Sequence, residues 1–201
     1  EPRPGSDAAA RARLGVPQPY VLHLGTIEPR KNLPVLIAAF ERLLVDDPTL
    51  RLVLAGGAGW GTDALEAALA ASTCADSVER LGYVDDDAVP ALLRGAAAVA
   101  YPSSAEGFGL PVLEALACGA PTVTTTGSVM EAVAGDAALL APAGDSARLA
   151  DALAAAIAGG ISGARRRERG LQRAHAFTWE ASAETHVATY RAVAIPGSGL
   201  T

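Results

Sequence analysis

Two glutamates, Glu106 and Glu114, stand with seven residues between them in YPSSAEGFGLPVLEALACGAPTV, residues 101–123. Pro111 suits the first turn of a helix, which puts Glu106 in the preceding loop and Glu114 one turn in. Between them, Gly107 and Gly109 permit close approach of the backbone to a ligand. The N–H groups of Phe108, Gly109 and Leu110 precede the first intrahelical hydrogen bonds and are available to an anion. The order is carboxylate, amide donors, carboxylate. A nucleotide diphosphate sugar matches it, with sugar hydroxyls for Glu106, the diphosphate for the amides and ribose hydroxyls for Glu114. A plainer assignment makes Glu114 a first-turn acid favoured by the helix dipole and Glu106 a solvated loop acid. That accounts for either residue alone but not for the row.

A second cluster lies in GTIEPRKNL, residues 25–33, after an apolar run. Arg30 and Lys31 are adjacent cations just before a helix that Asn32 is placed to cap. They are suited to neutralise a diphosphate; alone, they would be ordinary surface charges.

The elements that position these residues follow from hydrophobic periodicity. Apolar runs at 19–25, 51–57, 77–84, 97–103, 120–126 and 137–144 each end in a glycine or polar turn and alternate with helical patterns. Six such alternations imply an α/β Rossmann-like three-layer sandwich with a roughly six-stranded parallel sheet. The strands lack polar alternation, as expected when both faces are covered. In such folds ligands bind outside the carboxyl ends of the strands, where both clusters fall. After Asp145 the pattern is wholly helical, expected to pack at a sheet edge or reach towards another domain.

With 201 residues, 50% of them hydrophobic, the chain is long enough for a large core. A net charge of -6 argues against nucleic-acid binding, which needs a basic footprint. Cys74 and Cys118 have no Cys or His at metal spacing and read as reduced core residues, which fits a cytoplasmic location. No apolar run is long enough to span a membrane, which leaves peripheral contact open. The polar lead, residues 1–18, lacks an initiator Met and reads as a linker, so a preceding domain is expected. The domain proper is expected over 19–194, with a tail at 195–201.

Other features carry plainer readings. GGAGWG at 56–61 departs from the dinucleotide fingerprint and follows the second strand rather than the first. Asp85, Asp86 and Asp87 form a metal-like triplet but read better as acids at a helix start. His23 reads as a packed core residue, and His175 and His186 have no partner at metal spacing. RRRER at 165–169 reads as a solvated helix face, with a membrane-facing patch as the alternative.

The chain resembles the "glycosyl transferases group 1" family of retaining enzymes with two facing Rossmann-like domains, the GT-B fold, and only its C-terminal, donor-binding half. VLHLGTIEPRKNLPVLIAAFERL, LVLAGGAGW, LGYVDDDAVPALLRGAAAVAYPSSAEGFGLPVLEALACGAPTV and GDAALLAPAGD occur in family order. The resemblance implies catalytic roles for Glu106, at the donor sugar, and for Lys31 and Arg30, at the diphosphate. It implies donor contacts from Gly25 and Thr26 beneath the phosphates and from Tyr83 and Val84 near the base. Gly107, Phe108, Gly109 and Leu110 would offer their amides, and Glu114 would hold ribose. Thr26 stands where many relatives carry Arg, a mark shared by relatives with the EPRKN wording. The resemblance implies no metal or other cofactor, GDP-mannose as first candidate donor with UDP sugars behind it, and a glycan or lipid-linked acceptor, as in polysaccharide biosynthesis. That acceptor would be bound by a missing N-terminal domain, without which the chain is expected to be inactive. The alternatives are a non-catalytic nucleotide-sugar-binding domain and one half of a nucleotide-sugar epimerase.

Overall fold

A computed structural model describes residues 4–194, so the tail expected at 195–201 and the first three residues of the lead lie outside the described residues. The six strands are β1 (Tyr20–Leu24), β2 (Arg51–Ala55), β3 (Val78–Gly82), β4 (Ala98–Tyr101), β5 (Thr122–Thr125) and β6 (Leu139–Ala141). All pair in parallel, in the order β3-β2-β1-β4-β5-β6. The expected six-stranded parallel sheet is therefore present. Its winding reverses between β1 and β4, which opens a crevice at the carboxyl ends of those two strands.

Alternate residues of the central strands feed two separate cores. Val21, Leu52, Leu54, Ala98, Ala100 and Val123 face one cluster, and Tyr20, Leu22, Val53, Ala55, Val99 and Tyr101 face the other. This doubly covered pleat is why the strands read as unbroken apolar runs. The first core is closed by α2 (Leu33–Asp46) and α7 (Ser146–Ala158), which pack together. Leu33, Leu36, Ile37, Phe40 and Leu43 form the buried stripe of α2, and Leu149 and Leu153 meet it from α7. Phe40→Ala alone would cost about 3–5 kcal/mol. The late helices divide: α7 covers β4, β5 and β6 rather than flanking an edge, and α8 (Gly160–His175) packs on α5 (Leu110–Ala117). No residue of α9 (Trp179–Val193) is buried.

The lead departs from the linker reading. Residues 4–13 form α1 (Pro4–Arg13), which packs on α4 (Val89–Gly95). Asp7, 7% exposed, receives two hydrogen bonds from Arg94, both 2.7 Å, and Ala10 and Val16 are buried. A charged helix with one small apolar contact looks like a linker in isolation, and only its partner ninety residues away makes it part of the domain. The remaining helices are α3 (Asp63–Ala71) and α6 (Val129–Ala134), the latter capped by Ser128.

Candidate functional site

The loop after β1 is built around a close backbone approach. Gly25 donates from N–H to Ala55 O and Ile27 to Gly57 O, zipping this loop to the one after β2. Gly56 has φ 146°, and a Cβ there would stand 2.0 Å from Gly25 O. A Cβ at Gly59 would stand 2.6 Å from Ile27 O. Gly56 and Gly59 of GGAGWG thus serve loop-to-loop packing, in keeping with the run's departure from the dinucleotide fingerprint.

The packed loop carries Arg30 and Lys31 through a 3-10 turn, Pro29–Lys31, into α2. Asn32 holds the N-cap position at φ 56° but makes no side-chain cap; its amide donates instead to Pro102 O at 3.3 Å. That bond, with Ser104 N–H to Arg30 O at 2.8 Å, ties the β1–α2 loop to the β4–α5 loop. Lys31 is 4% exposed, its ammonium just below Gly25.

Glu106 closes the pair of loops. One carboxylate oxygen accepts from Lys31 Nζ at 2.7 Å and the other from Arg30, which also bonds Glu28 at 2.6 Å. Burial pushes the Glu106 carboxyl up, but the hydrogen bonds from Lys31 and Arg30 outweigh it and hold the group below its ordinary value. The reading from sequence kept the carboxylate and the cations at different parts of a ligand; the structure joins them. With Glu28 the four charges cancel.

Beyond Glu106, Gly109 takes φ 96° as N-cap of α5, and Pro111 occupies the first turn as expected. Among the described residues the N–H groups of Phe108, Gly109 and Leu110 have no acceptor, so three donors point out of the helix start. Glu114, one turn on, meets no hydrogen-bond donor among the described residues; burial, then the charge of Asp86, raises its pKa.

Glu114 lines a cleft of about 640 Å³ that runs across the carboxyl ends of β1, β2 and β3. Gly25, Thr26, Tyr83 and Val84 share this lining, while Lys31, Arg30, Glu106 and 107–110 stand beside it, Lys31 in contact with Gly25. Asp86 and Cys118 also line it. The sequence reading assigned neither to the site: Asp86 was merged into an acidic triplet, and Cys118 carries no motif. Glu28, by contrast, was visible two positions before Arg30.

His23 lies fully buried beneath Gly25, its Nδ1 bonded to Ala100 O at 3.0 Å, and burial with the nearby Lys31 charge lowers its pKa to about 4. Of the RRRER run, Arg167 lies over Gly119 and Arg169 pairs with Asp136 at 2.7 Å. No cluster of three or more His, Cys, Asp or Glu capable of holding a metal occurs among the described residues. Among the same residues no helix is long and apolar enough to cross a membrane.

A Rossmann-like sandwich with this strand order is common to many nucleotide-binding proteins; its likeness to known proteins shows this one to be one half of a GT-B glycosyltransferase fold. Residues 7–173 match the family described as Glycosyl transferases group 1, and the chain belongs to it. It is 40% identical over 169 residues to the O-antigen chain mannosyltransferase B of Escherichia coli, an alignment covering 81% of this chain and 43% of that protein. It is 35% identical to the D-inositol 3-phosphate glycosyltransferase of Segniliparus rotundus, over 98% of this chain and 45% of that protein. The sucrose-phosphate synthase structure from Thermosynechococcus elongatus superposes with a TM-score of 0.78 at 29% identity, over 92% of this chain and 48% of that one. The chain spans less than half the length of each of these relatives.

Proposed function

We propose that this chain is the C-terminal, donor-binding half of a two-domain retaining glycosyltransferase, with GDP-mannose as the first candidate donor. One observation carries the reading. Lys31 and Arg30 pair with Glu106 at the switch-point crevice, Glu106 leads along the chain into the open amides of Phe108–Leu110, and Glu114 lines the adjoining cleft. The diphosphate takes the two cations and the amides, ribose hydroxyls reach Glu114, and the base lies against Tyr83 and Val84. The 40% identity to a mannosyltransferase supports the sugar.

Breaking the bond between the anomeric carbon and the diphosphate leaves negative charge on the phosphate oxygens and an oxocarbenium-like sugar. Fixed cations and amides aimed at those oxygens lower the barrier because they need no reorganisation as charge develops. As the diphosphate draws Lys31 and Arg30, Glu106 is released to the sugar hydroxyls, where its charge steadies the electron-poor ring. No metal is required for this neutralisation. The acceptor oxygen bonds the same face of the anomeric carbon, and configuration is retained. The acceptor and its base belong to a facing N-terminal domain, so the 201 residues alone bind donor without turnover. The enzyme works in the cytoplasm, at the inner face of a membrane when the acceptor is lipid-linked.

Calorimetric titration of the chain with GDP, UDP, ADP and their sugar conjugates, first without metal and then with magnesium, tests this. Metal-free binding of one nucleotide series at micromolar to millimolar strength names the donor. Loss of about 1.5–3 kcal/mol in Lys31→Ala or Glu114→Ala places the contacts. Unchanged affinity in both variants moves the site elsewhere.

A further inference from the structure

Phe108 is the one large side chain at the tip of the donor loop, set between Gly107 and Gly109 and 44% exposed. Two flanking glycines give that tip wide backbone freedom, so something must hold it if its amides are to be aimed in advance. The structure shows what does. The Phe108 ring meets the Phe177 ring edge to face, with centroids 5.9 Å apart and planes at 81°. Phe177 lies in the turn between α8 and α9 and is itself covered by Arg173, whose guanidinium stands 5.3 Å from the ring centre. Arg173 in turn donates to Val133 O at 2.8 Å and Ala132 O at 2.6 Å, carbonyls in the last turn of α6. The same helix meets the loop a second time, since a Cβ at Gly109 would stand 3.0 Å from Met130 Cγ.

From this geometry we infer that Phe177 is a positioning residue for donor binding. It fixes the Phe108 ring, and through it the direction of the Phe108, Gly109 and Leu110 N–H groups. The inference rests on the proposed donor role of those amides. Phe177 is not among the residues that line the cleft, and its ring meets the donor loop at Phe108. An edge-to-face pair of this kind contributes enough to shift an equilibrium by about two- to tenfold. A tip held in advance also avoids part of the ordering cost on binding. Because Phe177 is two residues from the first residue of α9, displacement of that helix would carry the ring and loosen the tip.

The test uses the 201-residue chain and two readouts. Backbone amide relaxation order parameters at 107–110 report loop order without any ligand, and titration with GDP and UDP reports binding. Phe177→Ala is expected to lower the order parameters at these amides and weaken diphosphate binding by about three- to tenfold. Phe177→Tyr, which keeps the ring, restores both. Arg173→Met, which removes the carbonyl tethers, shifts both in the same direction as Phe177→Ala. In a Phe108→Ala background, Phe177→Ala should add nothing further to the binding loss. Unchanged order parameters in Phe177→Ala overturn the inference, as does a fully additive double variant. A wild-type chain that binds neither nucleotide overturns the donor reading instead, while the relaxation experiment still decides the role of Phe177.

Discussion

Glu114 stands in the cleft wall with Asp86 nearby, and both its partial burial and that neighbouring charge disfavour the ionised form. A carboxyl whose pKa is raised on folding favours the folded state below its unfolded value and works against it as pH rises through the folded one. Glu114→Gln should therefore raise Tm slightly at pH 7. The gain should vanish in acid, where both forms are neutral. The same change should weaken binding of ribose-bearing ligands by roughly tenfold. Thermal scans at pH 7 and pH 4 beside calorimetry check both signs; a Tm that falls at pH 7 would show the carboxylate to be a stabilising partner instead. Glu106 makes the opposite case. Its lowered pKa means that its stabilisation is present above the ordinary glutamate value and is lost as pH falls through the folded one. Glu106→Gln leaves buried Lys31 without its counter-charge and should cost about 2 kcal/mol of stability at neutral pH. Inorganic pyrophosphate should nonetheless bind the variant more tightly than wild type, because the cations no longer have to leave a carboxylate. Weaker pyrophosphate binding in Glu106→Gln would place the diphosphate away from Lys31 and Arg30.

At the level of elements, the site depends on two loops that glycine holds together. Gly56→Ala would drive a methyl group into Gly25 O, so it should destabilise by about 3 kcal/mol or more and displace Gly25 from above Lys31. Gly57→Ala, with no atom within 4 Å of the new Cβ, should leave stability within about 0.5 kcal/mol. Denaturant midpoints of the two variants separate loop packing from a general intolerance of the GGAGWG run. This is also where the sequence is least informative. Spacing and glycine content marked the GGAGWG run as a loop, but its contact with Gly25 and Ile27 depends on the pairing of β1 with β2. Likewise α1 reads as a linker because its anchors, Asp7 and Ala10, acquire meaning only against Arg94 and α4. Asn32 was legible as a cap by residue type, yet the neighbouring Pro102 carbonyl takes its amide. The row from Glu106 to Glu114, by contrast, lies within one continuous stretch, and its loop-then-helix arrangement was readable from Gly107, Gly109 and Pro111.

For the whole molecule, the doubly covered sheet leaves unmistakable apolar runs, which is why six parallel strands could be read in advance while their order could not. That order places His23 of β1 in the interior, on a strand flanked by β2 and β4 and directly under the Gly25 loop. It is fully buried, and in the neutral ring Nδ1 donates to Ala100 O, so Nε2 carries no proton. Burial, reinforced by Lys31, lowers its pKa to about 4, against about 6.5 for the unfolded chain. Between these values the unfolded chain takes up a proton that the folded one refuses. Stability is therefore fully present above about pH 6.5 and declines as pH falls towards 4, by about 3 kcal/mol in all. Most of the slope lies above the range in which Glu106, with its lowered pKa, titrates. Chemical denaturation from pH 6.5 to 5 should thus show a loss approaching 1.4 kcal/mol per pH unit. His23→Asn keeps an amide donor for Ala100 O but cannot titrate. It should be less stable at pH 7, having lost packed volume, yet its profile over the same range should be flatter by about one proton. Equal slopes in the two proteins would mean that the interior opens enough at pH 5 to hydrate His23. The crevice floor would then be far softer than the packing of β1 against β2 and β4 implies.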